Sequence, residues 1–142
     1  MSKKFRIIFI CTGNACRSQM AEGFARHYGK DRFEVFSAGV FASGLHPCAV
    51  EAMKEIGIDI SHHTSDQIDP ELLKTMDYVV TVCDYAQKNC PITPGAKKVV
   101  HWSIEDPIRY VGTPSEEREF SRIRDDLGER VKKLIIEIME HE

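Results

Sequence analysis

Four short runs of apolar, mostly β-branched or aromatic residues recur along the chain, separated by longer and more polar segments. Runs of this kind predict strands that are buried on both faces of a sheet. The four predicted strands are Phe5–Ile10, Phe33–Ser37, Tyr78–Val82 and Lys98–Trp102.

Between these runs, apolar residues recur three or four positions apart, the spacing of an amphipathic helix. After the first strand, Met20, Phe24 and Ala25 share a face, and a second helix is predicted from Pro47 to a stop at Gly57. The longest predicted helix is the last, with apolar residues at Phe120, Ile123, Leu127, Val131, Leu134 and Ile138.

Strands that alternate with helices indicate βαβ units. The sequence therefore predicts an α/β fold, a small doubly wound four-stranded parallel sheet with helices on both faces. A chain of 142 residues fits a single domain, residues 1–142, around one core. Two glycine-containing segments, Gly39–Gly44 and Gly112–Ser115, are expected to be surface loops.

Composition narrows the choice of partners and compartment. The chain is 42% hydrophobic and 29% charged, with a net charge of -3, which is typical of a globular protein and gives no reason to expect nucleic acid or an anionic membrane as partner. The apolar run Ile7–Cys11 is too short for a signal-peptide core, and no stretch approaches the length of a membrane span. We expect a cytoplasmic protein.

The five cysteines do not form a pattern typical of a structural role. An odd number without a secretion signal argues against a disulfide framework, and neither Cys11-x4-Cys16 nor Cys83-x6-Cys90 has the close spacing of a structural zinc site. Reactive thiols are the better interpretation for most of them. Cys16 is predicted to be a packed thiol and Cys48 a core residue of the second helix.

Three chemically capable residues follow predicted strands. Cys11 comes directly after the first strand, Cys83 directly after the third, and Asp106 four residues after the fourth. Ligands of open α/β sheets bind in the crevice beyond the carboxyl ends of the strands. The sequence therefore predicts a functional site at this edge of the sheet.

The segment after Cys11 can form an anion-binding loop, because Gly13 and Asn14 tolerate unusual backbone angles and the next helix adds its positive end. The guanidinium of Arg17 suits a tetrahedral oxyanion, and Ser18 can donate to the Cys11 sulfur and cap the helix. The predicted oxyanion site is Thr12, Gly13, Asn14, Ala15, Cys16 and Arg17.

The same positive field stabilises a thiolate, so Cys11 is expected to be a nucleophile. The alternative is an ordinary βα turn with a buried Cys and a surface Arg. A nucleotide-binding P-loop is excluded, because the chain contains no Gly-x4-Gly-Lys-Ser/Thr string.

The Cys-x5-Arg-Ser loop at 11–18, with Asp106-Pro107 late in the chain, resembles the low-molecular-weight protein tyrosine phosphatase fold family. The resemblance implies that Cys11 is the nucleophile, Arg17 binds the oxyanion and Asp106 is the general acid. A leaving oxygen does need a proton, which a carboxylic acid at the rim can supply. The alternative for Asp106 is a turn residue before proline.

Cys83 and Cys90 have no use in phosphate ester hydrolysis but could transfer electrons to arsenate, which mimics phosphate. The chain in fact resembles the thioredoxin-coupled arsenate reductases of this fold. The matching segments are residues 11–18, Ser37-Ala38-Gly39, Thr64-Ser65-Asp66, Thr81-Val82-Cys83-x6-Cys90-Pro91, His101-Trp102, Asp106-Pro107 and Phe120-x-Arg122-x-Arg124-Asp125.

This second resemblance implies a relay of three thiols: Cys11 attacks arsenate, Cys83 attacks Cys11, and Cys90 closes a disulfide with Cys83 that thioredoxin reduces. Phosphate and sulfate would act as mimics of arsenate, no organic cofactor is implied, and nothing demands more than a monomer. Ala15 stands where the family often has Ser, and the loop Ile108–Ser115 is longer than in some members, which could alter the partner surface.

The spacing of the last two thiols makes a structural demand. If Asp84–Asn89 formed a helix, Cys83 and Cys90 would lie about 10 Å apart along its axis, whereas a disulfide needs Cα atoms within about 7 Å. The polar composition of the segment and Pro91 beyond it favour a weak helix. We expect it to unwind on oxidation and to expose the disulfide.

The resemblance also implies a monovalent cation, usually potassium, beside the loop, with ligands at Asn14, Glu22, Ser37, Thr64 and Asp66. Glu22 supports this from its position, because a carboxylate one turn into the anion-binding helix opposes the site unless a cation shields it. The alternative is a solvated carboxylate on the helix face.

Two other functions use a cysteine loop after a first strand: hydrolysis of phosphotyrosine, and a phosphorylated carrier domain, for which Arg17 and Asp106 would be superfluous. The histidines do not indicate a functional site, because His46, His62 and His63 fit surface positions. Trp102 is predicted to pack against the sheet.

Overall fold

The predicted parallel sheet is present in the computed structural model, which describes residues 4–91 and 95–141. The strands are β1 (Phe5–Cys11), β2 (Phe33–Gly39), β3 (Tyr78–Thr81) and β4 (Lys98–His101), in the order β2-β1-β3-β4, and each neighbouring pair is parallel. The predicted fold class is therefore confirmed. β1 and β2 extend beyond their predicted ends, and β3 and β4 each stop one residue short of them.

The helices are α1 (Arg17–Gly29), α2 (Pro47–Lys54), α3 (Pro70–Leu73), α4 (Asp84–Asn89) and α5 (Glu116–His141), with 3-10 turns at Lys30–Arg32 and Pro107–Tyr110. Pro47 begins α2 as predicted, with the His46 imidazole accepting from the backbone N–H of Cys48. Gly57 lies beyond the end of α2, at a φ of 80° that a side chain would disfavour.

The long last helix packs on α1 through the stripe that the sequence predicts. All six of its predicted apolar positions are buried, and Gly128 brings the two helices close, since a Cβ there would lie 2.7 Å from the Phe24 ring. Full burial of each such side chain contributes roughly 1.5–3 kcal/mol. This interface fixes α1, and with it the loop that precedes α1.

Alternate residues of the central strands face opposite layers. Phe9 belongs to the face that also carries Trp102, and the two rings lie 6.5 Å apart, so the predicted packing of Trp102 on the sheet is confirmed. The opposite face of β3 and β4, with Val79 and Val99, lines a cavity of about 310 Å³ together with Gln87 of α4. Helices therefore lie on both faces, α5 on one and α4 on the other, while Val99 of the edge strand stays exposed.

The strand order places the ends of β1 and β3 side by side. β1 leads through α1 to β2 on one side, and β3 leads through α4 to β4 on the other, so the two connections diverge. A crevice opens where neighbouring strands send their connections in opposite directions. Cys11 and Cys83 lie on its two sides.

No helix in the described ranges 4–91 and 95–141 combines the length and the apolar character needed to cross a bilayer.

Candidate active site

The loop between β1 and α1 depends on the side chain of Asn14. Asn14 has a φ of 50° and is completely buried. Its amide donates to Ser18 Oγ at 2.7 Å and to Ser37 Oγ at 3.0 Å, while its Oδ1 accepts from the backbone N–H of Asp66 at 2.8 Å. These hydrogen bonds hold a left-handed backbone conformation that costs most residues free energy.

The end of β2 supports the same loop from outside. A Cβ on Gly39 would lie 2.2 Å from the carbonyl oxygen of Phe41 and 2.7 Å from the backbone nitrogen of Asn14. Because both neighbours are backbone atoms, neither can move aside for a side chain. Glycine is needed here for the approach of β2 to the anion loop.

Cys11 lies at the base of the loop, 2% exposed, with its sulfur 2.8 Å from Ser18 Oγ. Since the Ser18 oxygen accepts from Asn14, its own hydroxyl hydrogen is available to the sulfur. The predicted contact of Ser18 with the sulfur is therefore present. The predicted capping role is wrong, because α1 begins at Arg17 with Cys16 as its N-cap residue, and no side chain caps it.

Arg17 joins the loop to the segment after β4. Its guanidinium is nearly buried, donates to the carbonyl of Ile104 at 3.0 Å and lies 3.4 Å from the Asp106 carboxylate. Asp106 also accepts from the backbone N–H of Ile108 and begins the turn Pro107–Tyr110. Asp106 thus begins a turn, as one interpretation predicts, and also lies against Arg17; its role as general acid stays a prediction.

The Cys83 sulfur contacts Thr12, the residue that directly follows Cys11. Cys83 is the N-cap residue of α4, and its sulfur accepts from the backbone N–H of Ala86 at 3.3 Å. Thr12 Oγ1 lies 3.3 Å from the same sulfur. These two contacts hold the Cys83 sulfur beside the anion loop. Sequence reasoning assigned Thr12 only to the oxyanion loop and missed this contact.

Cys90 stands at the other end of α4. The helix Asp84–Asn89 separates it from Cys83, as the spacing argument assumed, and its thiol is half-buried. Burial raises the pKa of Cys90. Burial therefore lowers the ionised fraction of this thiol while α4 is intact.

Of the two remaining cysteines, Cys16 is packed as predicted, whereas Cys48 is only half-buried at the edge of the core. Burial, with the Asp106 and Cys11 charges, raises the pKa of Cys16 far above its ordinary value, so it stays protonated. Burial and the carboxylate of Glu116 raise the pKa of Cys48. All five cysteines are free thiols.

The proposed cation ligands lie together behind the loop. Ser37 accepts from Asn14 and donates to Glu22 at 2.6 Å, and the Thr64 hydroxyl donates to Asp66 at 2.6 Å. Each of these side chains offers oxygen, which suits a hard cation. Within residues 4–91 and 95–141, no cluster of three or more His, Cys, Asp or Glu side chains could hold a metal ion.

Two basic side chains already face Glu22, of which Arg26 carries a permanent positive charge. Arg26 Nε lies 2.9 Å from its carboxylate, and His63 Nε2 lies 3.7 Å away. The surface position predicted for His63 is wrong, because its side chain is 3% exposed and its Nδ1 contacts Gln19 at 3.1 Å. Burial lowers the pKa of His63, so Arg26 supplies most of the compensating charge.

A cleft of about 400 Å³ opens beside Arg17 and Cys83. It is lined by Thr12, Arg17, Cys83, Asp84, Tyr85, Ser103, Ile104 and Glu105. A tetrahedral oxyanion is far smaller than this volume, so the cleft also has room for a leaving group or a second reactant. The guanidinium and the second thiol line it directly, and Asp106 lies 3.4 Å from that guanidinium.

Residues 6–142 match the family described as low molecular weight phosphotyrosine protein phosphatase. The chain belongs to this family. Within it, the chain is 54% identical over 134 residues to an arsenate reductase of Shouchella clausii, a match that covers 94% of this chain and 96% of that protein.

Two similar solved structures represent two different activities. A thioredoxin-dependent arsenate reductase of Corynebacterium glutamicum superposes with a TM-score of 0.82 at 29% identity, covering 99% of this chain and 65% of that one. A low molecular weight protein tyrosine phosphatase of T. tengcongensis superposes with a TM-score of 0.79 at 31% identity, covering 94% and 98%. The fold therefore serves both activities, and the site must distinguish them.

Proposed function

We propose that this protein is an arsenate reductase that works by a relay of three thiols. The observation that carries the proposal is the position of the Cys83 sulfur, 3.3 Å from the hydroxyl of Thr12, the residue directly after Cys11. Hydrolysis of a phosphate ester has no use for a second thiol beside the nucleophile. Reduction of As(V) requires one.

In the first step the Cys11 thiolate attacks arsenic while the loop N–H groups and Arg17 hold the oxyanion. A hydroxyl leaves as water with a proton from Asp106, whose carboxyl group faces the same guanidinium at 3.4 Å. The product is a thioester of arsenate on Cys11. Arsenic is still As(V) at this stage.

In the second step the Cys83 thiolate attacks the Cys11 sulfur. A sulfur–sulfur bond forms, the sulfur–arsenic bond breaks, and arsenic keeps the electron pair and leaves as arsenite, As(III). In the third step Cys90 attacks Cys83, which releases the Cys11 thiolate and leaves a Cys83–Cys90 disulfide. Two electrons have passed from two thiols to arsenic.

The oxidised protein needs an external dithiol, and we propose thioredoxin, on which the similar arsenate reductase of Corynebacterium glutamicum depends. Such a cycle requires a compartment that keeps thiols reduced, so we propose the cytoplasm. Every group in the relay comes from one chain, so a monomer of one domain, residues 1–142, suffices. Neither nucleic acid nor an organic cofactor has a part in it, and phosphate or sulfate would compete with arsenate.

We also propose that a potassium ion can bind among Asn14, Glu22, Ser37, Thr64 and Asp66. The oxygen-rich cluster and the carboxylate of Glu22 support it. The ion would compete with Arg26 for Glu22 at 2.9 Å. Its role would be to support the loop from behind, with no part in the thiol chemistry.

Arsenate-dependent oxidation of NADPH in the presence of thioredoxin and thioredoxin reductase tests the proposal. We expect steady consumption with the wild type, and none with Cys83→Ser or Cys90→Ser. Cys48→Ser is the matched control, because it removes a thiol outside the relay. No consumption by the wild type, with glutaredoxin also inactive, would overturn the proposal.

The alternative function is hydrolysis of phosphotyrosine, which the juxtaposition of Cys11, Arg17 and Asp106 favours by itself. Hydrolysis of p-nitrophenyl phosphate separates the two. A phosphatase retains full activity after Cys83→Ser and Cys90→Ser and reduces no arsenate, whereas a reductase loses its arsenate turnover and keeps at most a weak esterase activity in the Cys11 loop.

A further inference from the structure

One imidazole bridges the two segments that flank Cys83. His101, the last residue of β4, lies with its Nδ1 2.8 Å from Thr81 Oγ1 and its Nε2 2.9 Å from Asp84 Oδ1. Thr81 ends β3 two residues before Cys83, and Asp84 begins α4 one residue after it. The backbone on both sides of the second thiol is therefore tied to one side chain of the neighbouring strand.

The chemistry of the partners sets the direction of these hydrogen bonds. An ionised carboxylate only accepts, so Nε2 donates to Asp84, while Nδ1 is in hydrogen-bond contact with the Thr81 hydroxyl. The Ser103 hydroxyl is a second donor to the same oxygen of Asp84. The hydrogen bonds from Ser103 and His101 lower the pKa of Asp84 and keep it ionised.

We propose that His101, together with Asp84 and Ser103, is a positioning group that holds Cys83 for its attack on the Cys11 sulfur. The inference rests on the proposed reductase function. The need for such a group follows from the fold, because α4 has only six residues and a helix that short is marginal without outside contacts. The sulfur contacts of Cys83 would be lost if its backbone moved.

The position of the group predicts which step it serves. None of its contacts reaches Cys11, Arg17 or Asp106, so the first step should not depend on it. Closure of the Cys83–Cys90 disulfide requires α4 to open. The hydrogen bonds from His101 and Ser103 to Asp84, in the first turn of α4, oppose that opening. Loss of these hydrogen bonds should therefore slow the second step, the attack of Cys83 on Cys11. The third step, the attack of Cys90 on Cys83, should be unchanged or faster.

Single-turnover release of arsenite measures the second step in a Cys90→Ser background, where the reaction stops at the Cys11–Cys83 disulfide. We expect His101→Ala to slow release by about tenfold, since small misplacements of a reacting group cost that much or more, and Ser103→Ala to slow it less. Lys88→Arg is the control, since it changes a side chain of the same helix and keeps the positive charge that acts on Asp84.

Two further measurements distinguish a loss of Cys83 positioning from a general loss of structure. Alkylation of Cys11 by iodoacetamide should keep its wild-type rate in the His101→Ala and Ser103→Ala variants. Diamide-driven closure of Cys83–Cys90, with Cys90 present, should be as fast as in the wild type or faster. Equal slowing of all three reactions, or unchanged arsenite release, would overturn the inference. Failure of the unmodified Cys90→Ser protein to release arsenite would instead overturn the proposed function. If His101→Ala does not fold, Ser103→Ala carries the same test.

Discussion

Asn14 illustrates how much of the anion loop rests on single side chains that carry no charge. The motif indicates an unusual backbone here, and the structure adds that the amide closes the loop onto Ser18, Ser37 and the backbone of Asp66. Ser18 in turn contacts the Cys11 sulfur. The nucleophile is thus held through neutral hydrogen bonds that sequence spacing cannot reveal.

Asn14→Ala should weaken both fold and chemistry. It removes three hydrogen bonds and leaves alanine at a φ of 50°, so we expect a loss of about 2–4 kcal/mol in the free energy of unfolding. Urea unfolding measures it. Asn89→Ala, which removes one exposed hydrogen bond to Tyr85, is the control and should cost under about 1 kcal/mol. Equal losses would contradict the assigned role of Asn14.

The buried His63 gives a pH dependence with a definite sign. Because burial lowers its pKa in the folded protein, the unfolded chain binds the proton more readily. The free energy of unfolding should therefore fall as pH decreases below about 6.5, the ordinary pKa of histidine.

Urea unfolding between pH 5 and 8 measures this dependence. We expect His63→Gln to flatten the decline, while His62→Gln, a change at the exposed neighbouring residue, should follow the wild type. A His63→Gln curve parallel to the wild type would show that another group sets the slope.

At the scale of elements, α4 is the one that must change shape. Its first turn is tied to β4 through Asp84, whereas Gln87, Lys88 and Asn89 of its second turn are exposed. A short helix with polar residues and a proline beyond it gains little from its own backbone hydrogen bonds. Such an element can open without disturbing the sheet.

Hydrogen exchange should locate that opening. We expect amides of α4 to lose protection when the Cys83–Cys90 disulfide forms, because the two Cα atoms must come within about 7 Å. Amides of β1 and β3 should keep theirs. The Cys83→Ser, Cys90→Ser double variant exposed to the same oxidant is the control. Unchanged exchange in α4 after proven disulfide formation would refute the rearrangement.

The periodic elements could be predicted from the sequence, and the contacts between them could not. The strands and the last helix were identified because apolar spacing reflects burial directly. The four-residue helix Pro70–Leu73 is too short to leave a period. The contact of Thr12 with Cys83 and the burial of His63 join residues far apart in the chain, and only the tertiary fold brings them together.

On the scale of the whole molecule, the charges behind the loop decide whether a cation matters. Glu22 already pairs with Arg26 at 2.9 Å, so potassium should add stability only modestly. We expect a small rise in Tm with potassium chloride over tetramethylammonium chloride, lost in Asp66→Asn and retained in Asp69→Asn. Identical melting curves of the wild type in both salts would contradict the cation site.

The relay requires one molecule to bring three sulfur atoms into contact in order, and mapping of disulfides after one equivalent of arsenate tests this most directly. Mass spectrometry of alkylated peptides should find Cys83 joined to Cys90 and Cys11 free in the wild type. In Cys90→Ser it should find Cys11 joined to Cys83. Arsenite formed without either disulfide, or a disulfide that involves Cys16 or Cys48, would contradict the account.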